Sequence, residues 1–344
     1  MAQPKIRNME EFAAISGISR PTVSKYFNDP DSVRATTRKK IEAALAKHAY
    51  EPNVFAMNQN RRKTKNIGVL VPNLADPFFS EIARRVELAC IEAGYSPILL
   101  SSHGSPDRER DNLKSLRSLK PAGVLLAPFG RRLSDREAVR AFSEDFPLVL
   151  FDANMPETGQ AFVGTNHIQS IDLMVEYLCR SGEPPCFFEM KHPTHPNAFV
   201  HRHAYIESME RHGETPHVHQ AEGGGWNFEE IGSTEGGRLL AEGAFETNTI
   251  LCSNDRLAIG MLSAAYRLHL PVGHGPDCKI RIAGHDDHPF SRFTCPPLTT
   301  IAQDYEAIAI RAVRTLFRIL EDDGHLPARE ETLFEGRLIM RDSA

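Results

Sequence analysis

Along much of this 344-residue chain, carboxylates and amides stand directly after short apolar runs. Asn73 and Asp76 follow the run at 67–71, with Phe78 beside them. Asp152 ends the run at 148–151, Asn254 and Asp255 follow 250–252, and Asp286 follows 280–283. Arg202 opens a helical pattern after another apolar run, and Trp226, the single tryptophan, sits in Gly223-Gly224-Gly225-Trp226-Asn227-Phe228. Brought together, these groups suit a polyhydroxylated molecule. Carboxylates accept from vicinal hydroxyls, an arginine donates with two prongs, and an indole or phenyl ring covers an apolar sugar face. Each also has a plainer reading. A strand-end Asp or Asn is often a helix cap, Asp255 above all; Trp226 could be core, and Asp286-Asp287 a turn. Convergence is what favours a binding site, with Arg202 and Asp286 the leading candidates.

The elements that would bring them together are visible as an alternation. Apolar strands at 67–71, 98–100, 124–127 and 148–151 alternate with helical patterns, such as Ile82, Val86, Ala89, Cys90 and Ala93 on one face. A second set follows at 186–188, 250–252 and 280–283. Such alternation predicts doubly wound parallel sheets in two lobes. Open sheets of this kind bind ligands beyond the C-terminal ends of their strands, where the polar residues fall.

The first 66 residues differ. They hold thirteen Lys/Arg against six Asp/Glu, a net +7, while the remainder is net −12. Only the head should therefore meet a polyanion. Asn8 caps a helix from Met9, with Glu11 completing a capping box, and Gly17 stops it. Ser19 caps a second helix that tolerates Pro21 in its first turn. A third pattern, about 36–48, carries Ile41, Ala44, Leu45 and His48 at helical spacing. This is a helix-turn-helix plan, with Arg20, Thr22, Ser24 and Lys25 available at the end that enters a major groove. A solvated basic face on an ordinary three-helix unit is the bland alternative.

At 41% hydrophobic and 25% charged residues, the composition is that of a globular protein. No apolar run approaches the ~20 residues of a membrane span, and the N-terminal sequence lacks a leader's apolar stretch. A cytoplasmic protein with no membrane partner is expected. The six cysteines lack Cys-x-x-Cys spacing and read as free thiols in a reducing compartment. Close histidine pairs, His201/His203 and His217/His219, read as solvated loop residues, so no metal and no cofactor is expected. Common catalytic and phosphate-loop signatures are absent, so an enzyme or a solute receptor on the same two-lobed plan stays the lesser alternative.

The run Met9-Glu-Glu-Phe-Ala-Ala-Ile-Ser-Gly-Ile-Ser-Arg-Pro-Thr-Val-Ser-Lys-Tyr-Phe-Asn28 closely resembles the headpiece of the LacI (lactose repressor) family. The resemblance continues through Tyr50-Glu51-Pro52-Asn53, Asp76-Pro77-Phe78-Phe79, Pro297-Leu-Thr-Thr-Ile-Ala-Gln303 and Ile339-Met340-Arg341. It implies a homodimeric repressor reading operator DNA, with Arg20, Pro21 and Lys25 at base-reading positions. It also implies a periplasmic-binding-protein-like sensor for a sugar or polyol. Asp152, Arg202, Trp226, Asn254, Asp286 and Gln303 would match effector-contacting positions. The expected division is a DNA-binding domain at 1–53, a hinge at 54–66 and a sensor at 67–344. Its first lobe would span about 67–164 and 297–328, its second about 165–294 and 329–344, with crossings near 164–165, 294–297 and 327–331. One departure stands out. Gln59 occupies the place of the family's hinge leucine, so the usual apolar wedge into the minor groove is lost. Nearby basic residues such as Arg61 could hold phosphates instead.

Overall fold

The computed structural model describes residues 6–48, 50–51, 64–322 and 328–344; Gln59 and Arg61, with the other hinge residues at 54–63, lie outside them. The chain forms two compact units, Met1–Lys65 and Asn66–Ala344.

In the first unit, helix α1 (Met9–Ser16) begins where Asn8 accepts the backbone N–H of Glu11 at 2.8 Å, and ends at Gly17 with φ +66°. The Glu11 carboxylate reaches back to the N–H of Arg7 at 2.8 Å, one residue before the one expected. Helix α2 spans Arg20–Asn28 and helix α3 Ala35–His48. Phe12, Val23 and Ile41, one from each helix, are fully buried together, with Tyr50 stacked on Phe12 at 4.8 Å. Each helix thus turns one apolar stripe inward and leaves its basic residues outside.

The second unit holds the two parallel sheets. The first contains β1 (Asn66–Val71), β2 (Ser96–Ser101), β3 (Gly123–Leu126), β4 (Leu148–Phe151), β5 (Ala161–Asn166) and β11 (Glu330–Glu335). Their order is β11-β5-β4-β3-β1-β2, all parallel. Ile67, Val69 and Val71 face one core with helices α4 (Pro77–Glu92) and α11 (Tyr305–Glu321). Leu70 faces the other, with α5 (Pro106–Leu119) and α6 (Leu133–Asp145). Alternating strand residues covered on both faces are what a doubly wound sheet requires.

The second sheet contains β6 (Cys186–Met190), β7 (Val218–Ala221), β8 (Thr249–Cys252) and β9 (Arg281–Ala283), parallel in the order β7-β6-β8-β9. Helices α7 (His167–Ser181) and α8 (Asn197–Arg211) cover one face, α9 (Phe228–Glu242) and α10 (Asp255–Arg267) the other. Helices α9 and α10 touch backbone to backbone. A Cβ on Gly260 would stand 2.2 Å from the Glu229 carbonyl, and one on Gly232 as close to that of Leu257. A two-stranded antiparallel pair, β10 (Thr300–Ala302) with β12 (Arg337–Ile339), completes the unit.

Backbone pairing moves the expected crossings. Strand β5 stays in the first sheet to Asn166. Bridges from Ala283 to Thr299 and Asp286 to Ala302 keep the chain with the second lobe past 294–297, until α11 begins at Tyr305. Strand β11 pairs with β5 in the first lobe, so the third crossing follows Glu335 rather than 327–331. The sequence placed residues 329–335 in the second lobe because nothing local tells which sheet a half-exposed strand joins.

Candidate ligand cleft and nucleic-acid-reading helix

Helix α2 presents Arg20, Pro21 and Lys25 to solvent, with Thr22 and Ser24 half-buried beside them. Ser19 precedes the helix, but its hydroxyl lies 2.8 Å from that of Thr22 and makes no cap bond to the backbone. Arg20 lies 3.4 Å from Glu10, both well exposed, a contact that solvent screens and a phosphate could displace.

Between the two sheets lies a partly open cleft. Asp76, Phe78, Asp152, Trp226, Asn254, Asp286 and Gln303 all line it, so seven of the nine residues expected from sequence meet at one place. Asp76 caps α4 through Oδ1, which accepts the Phe78 N–H. Its Oδ2 accepts from the Trp226 indole at 2.8 Å and from Arg256 at 2.9 Å, tying the first lobe to the second. Arg256 also grips both Glu229 oxygens, at 2.6 and 2.7 Å. Trp226 packs among Phe79, Phe129 and Phe228, with centroids 5.6–6.3 Å apart.

Asp152 adopts φ +63° beyond β4 and receives Asn197 Nδ2 at 3.2 Å, with His195 Nε2 3.1 Å from its other oxygen. Asp286 adopts φ +124°, a region that side chains rarely occupy and that marks functional sites. Gln303 bridges the lobes, donating to Asp286 at 2.8 Å and accepting from the Thr165 hydroxyl at 2.6 Å. Burial, with the Asp76 charge adding to it, pushes the Asp286 carboxyl well above its usual range.

The chain is matched by two family models: "Bacterial regulatory proteins, lacI family" over residues 8–53, and "Periplasmic binding protein-like domain" over residues 186–344. It is 28% identical over 311 residues to the ribose operon repressor of Escherichia coli (strain K12), covering 90% of this chain and 91% of that one. It is also 28% identical over 341 residues to the HTH-type transcriptional repressor PurR of Mannheimia succiniciproducens, covering 97% and 98%. The fold matches that of the lac repressor dimer bound to operator and the anti-inducer ONPF, with TM-score 0.84, 24% identity, and 98% and 99% of the two chains covered. The chain carries the DNA-binding domain of lacI-family regulators, joined to a periplasmic-binding-protein-like domain. It is a DNA-binding transcriptional regulator.

Within this regulator, two expected cleft residues lie elsewhere. Asn73 shapes the turn after β1, its side chain accepting the Ala75 N–H at 3.0 Å. Arg202 points along α8 instead, 2.7 Å from the buried Glu189 and over the Phe199 ring. Its neighbour His201 lines the cavity, because one residue turns the side chain by about 100° around a helix. Asp255 is no cap either. Asn254 caps α10, while Asp255 is fully buried and accepts from His288 N–H and the Ser291 and Thr300 hydroxyls at 2.6–2.8 Å. Burial raises its carboxyl to about 7. Among the cleft residues that escaped the sequence reading are His167, His195, Asn197 and His201. A signal for His201 existed. Residues 201, 204, 205 and 208 are all buried, a helical stripe that excludes 202.

Proposed function

We propose that this regulator is a homodimeric repressor whose operator affinity is set by a neutral sugar or sugar alcohol seated in the cleft. The carrying observation is the composition of the lining. Three carboxylates, Asp76, Asp152 and Asp286, share one cavity with Phe78, Phe79, Trp226 and Phe228. Of the three, Asp76 already has a guanidinium partner in Arg256. The Asp152 carboxylate, with no guanidinium partner, therefore favours hydroxyl donors over anions, while the rings suit an apolar sugar face. The named relatives include a ribose operon repressor, and the lac repressor binds operator as a dimer. A ligand that touches both walls favours one angle between the lobes, and differential affinity for that angle is what can shift operator binding. In the head, Arg20, Pro21, Thr22, Ser24 and Lys25 would read or hold the operator, with Ser19 at the helix start.

The test is a thermal-shift screen of neutral sugars, polyols and sugar phosphates, followed by calorimetry on the best ligand. A ligand at 100 times its Kd adds about 2.7 kcal/mol, a readable shift. Asp152→Asn should weaken that ligand at least tenfold, since a charged hydrogen bond contributes roughly 1.5–3 kcal/mol. Tighter binding of a sugar phosphate than of its parent sugar would overturn the proposal, as would an unchanged Kd in the variant. Lys25→Ala should weaken operator binding and leave effector affinity alone, because the head is a separate unit.

A further inference from the structure

We propose that His167, His201 and His285 form a binding site for a divalent transition-metal ion of the zinc class, with its open coordination position facing the cleft. The three rings come from the start of α7, the middle of α8 and the turn after β9, far apart in sequence. One ring nitrogen of each lies within 4.8 Å of the others. All three are buried, and His167 and His201 line the cavity.

The hydrogen bonds fix which nitrogen of each ring carries its proton. His201 Nδ1 lies 3.1 Å from the Ser253 carbonyl, which can only accept, so Nδ1 is protonated and Nε2 carries a lone pair. That Nε2 lies 3.0 Å from His167 Nδ1, which must then be the donor and leaves His167 Nε2 bare. His285 Nδ1 lies 3.0 Å from a carboxyl oxygen of Asp286, and when that carboxyl is ionised the imidazole donates to it and leaves Nε2 bare. The Nε2 atoms of His167 and His285 are buried and have no hydrogen-bond partner.

A stack of histidines held only by its own hydrogen bonds would thus strand two buried acceptors, at about 1–3 kcal/mol each. A cation seated between His167 Nδ1 and His201 Nε2, whose 3.0 Å separation suits two ligands of one ion, would replace their mutual hydrogen bond and satisfy His285 Nε2. The Ser253 carbonyl and Asp286 carboxylate then serve as the outer partners that orient metal-bound imidazoles. Burial favours the neutral, ligating form of the three rings. Three histidines and a vacant fourth position are the donor set of an accessible zinc site. In this cleft the fourth ligand would be a hydroxyl or carboxylate oxygen of the effector; only that last clause rests on the proposed function.

A second group, Cys186, His219 and Glu246, also gathers ligand types. Its atoms are satisfied, however, with His219 2.7 Å from Glu246 and Cys186 3.5 Å from it, so it serves as a control.

The experiment uses the tag-free full chain, stripped with a chelator. Equilibrium dialysis against Zn²⁺ should give one tightly held ion per chain, and Co²⁺ should develop the visible bands of a nitrogen-ligated, low-coordinate site. His201→Gln and His285→Gln should each lower Zn²⁺ affinity at least tenfold, and His219→Gln should leave it unchanged. Should a variant misfold by circular dichroism, imidazole ¹⁵N spectra of the wild type decide, since Zn²⁺ must move a ring-nitrogen resonance of each of the three buried histidines. No bound ion, an ion lost only in His219→Gln, or unmoved resonances would each overturn the site. Sugar binding is measured on the stripped protein as well, so the two proposals fail separately.

Discussion

On the first-lobe wall of the cleft, Asp76, Phe78 and Asp152 hang from strand ends, each fixed by the backbone around it. On the opposite wall, Trp226, Asn254 and His201 come from a loop, a helix cap and a helix face. The walls meet through polar contacts, Asp76 with Trp226 and Arg256, Gln303 with Thr165 and Asp286, Asn197 with Asp152, and through the Trp226 ring packed on Phe79 and Phe129. Behind them, each lobe has its own apolar cores. The difference teaches how such a molecule can switch. Apolar packing is costly to disturb and keeps each lobe rigid, whereas polar contacts exchange readily with water or a ligand.

The comparison breaks first where a rigid lobe is pried apart. In Gly260→Val a side chain would have to occupy the contact between α9 and α10, where even a Cβ meets the Glu229 carbonyl at 2.2 Å. The cost should exceed ~3 kcal/mol, the upper end for an overpacked core. Chemical denaturation checks this. Because α9 and α10 also carry Glu229 and Arg256, effector affinity should fall with stability; a variant of wild-type stability would mean the lobes are not the rigid bodies described here.

A smaller effect tests the first-lobe wall from behind. Glu109, on α5, accepts the Phe129 N–H at 3.1 Å and so holds the loop whose Phe129 ring meets Trp226 edge-on. Its other oxygen is buried without a partner, and burial raises its carboxyl to about 8 from an ordinary 4.5. The folded state thus holds this proton more tightly than the unfolded chain. The associated stability is complete below about pH 4.5 and is lost as pH rises through about 8. Glu109→Gln should match wild type near pH 4 and gain up to about 3 kcal/mol by pH 7. Thermal melts across that range decide, and a gain independent of pH would refute the ionisation account.

The two walls were also unequally legible in the sequence. The first-lobe residues follow from a simple rule, that polar groups past a strand end face the ligand, and an apolar run such as 148–151 is easily seen. Helix α8 defeated the same approach. It starts at Asn197, five residues before Arg202, and a helix boundary misjudged by a single residue turns the wrong side chain to the cleft. Strand β11 was missed for another reason. Its sequence, Glu-Glu-Thr-Leu-Phe-Glu, is half-exposed and charged, and only pairing with β5, about 170 residues earlier, makes it a strand. The buried His201 reads from sequence as a solvated loop residue because a histidine's surroundings are set by elements distant in sequence. His203 does fit that reading, exposed and 3.2 Å from Glu207.

The last test sets two arginines of the second lobe against each other. Arg256 and Arg202 both pair with carboxylates, Arg256 with Asp76 across the cleft and Arg202 with Glu189 inside its own lobe. Removing either strands an acidic partner, and each substitution to Gln should cost roughly 1–3 kcal/mol in a denaturant melt. Their effects on the ligand should diverge. Arg256→Gln cuts the tie between the walls and frees the Asp76 carboxylate, so the effector Kd should change several-fold. Arg202→Gln leaves every cavity-lining group in place, so that Kd should stay within about twofold, although sequence alone had ranked Arg202 among the leading contacts. Calorimetry on both variants separates the cases. Equal shifts in Kd would mean that ligand affinity tracks the stability of the second lobe rather than the contacts across the cleft, and the contrast between the walls would fall.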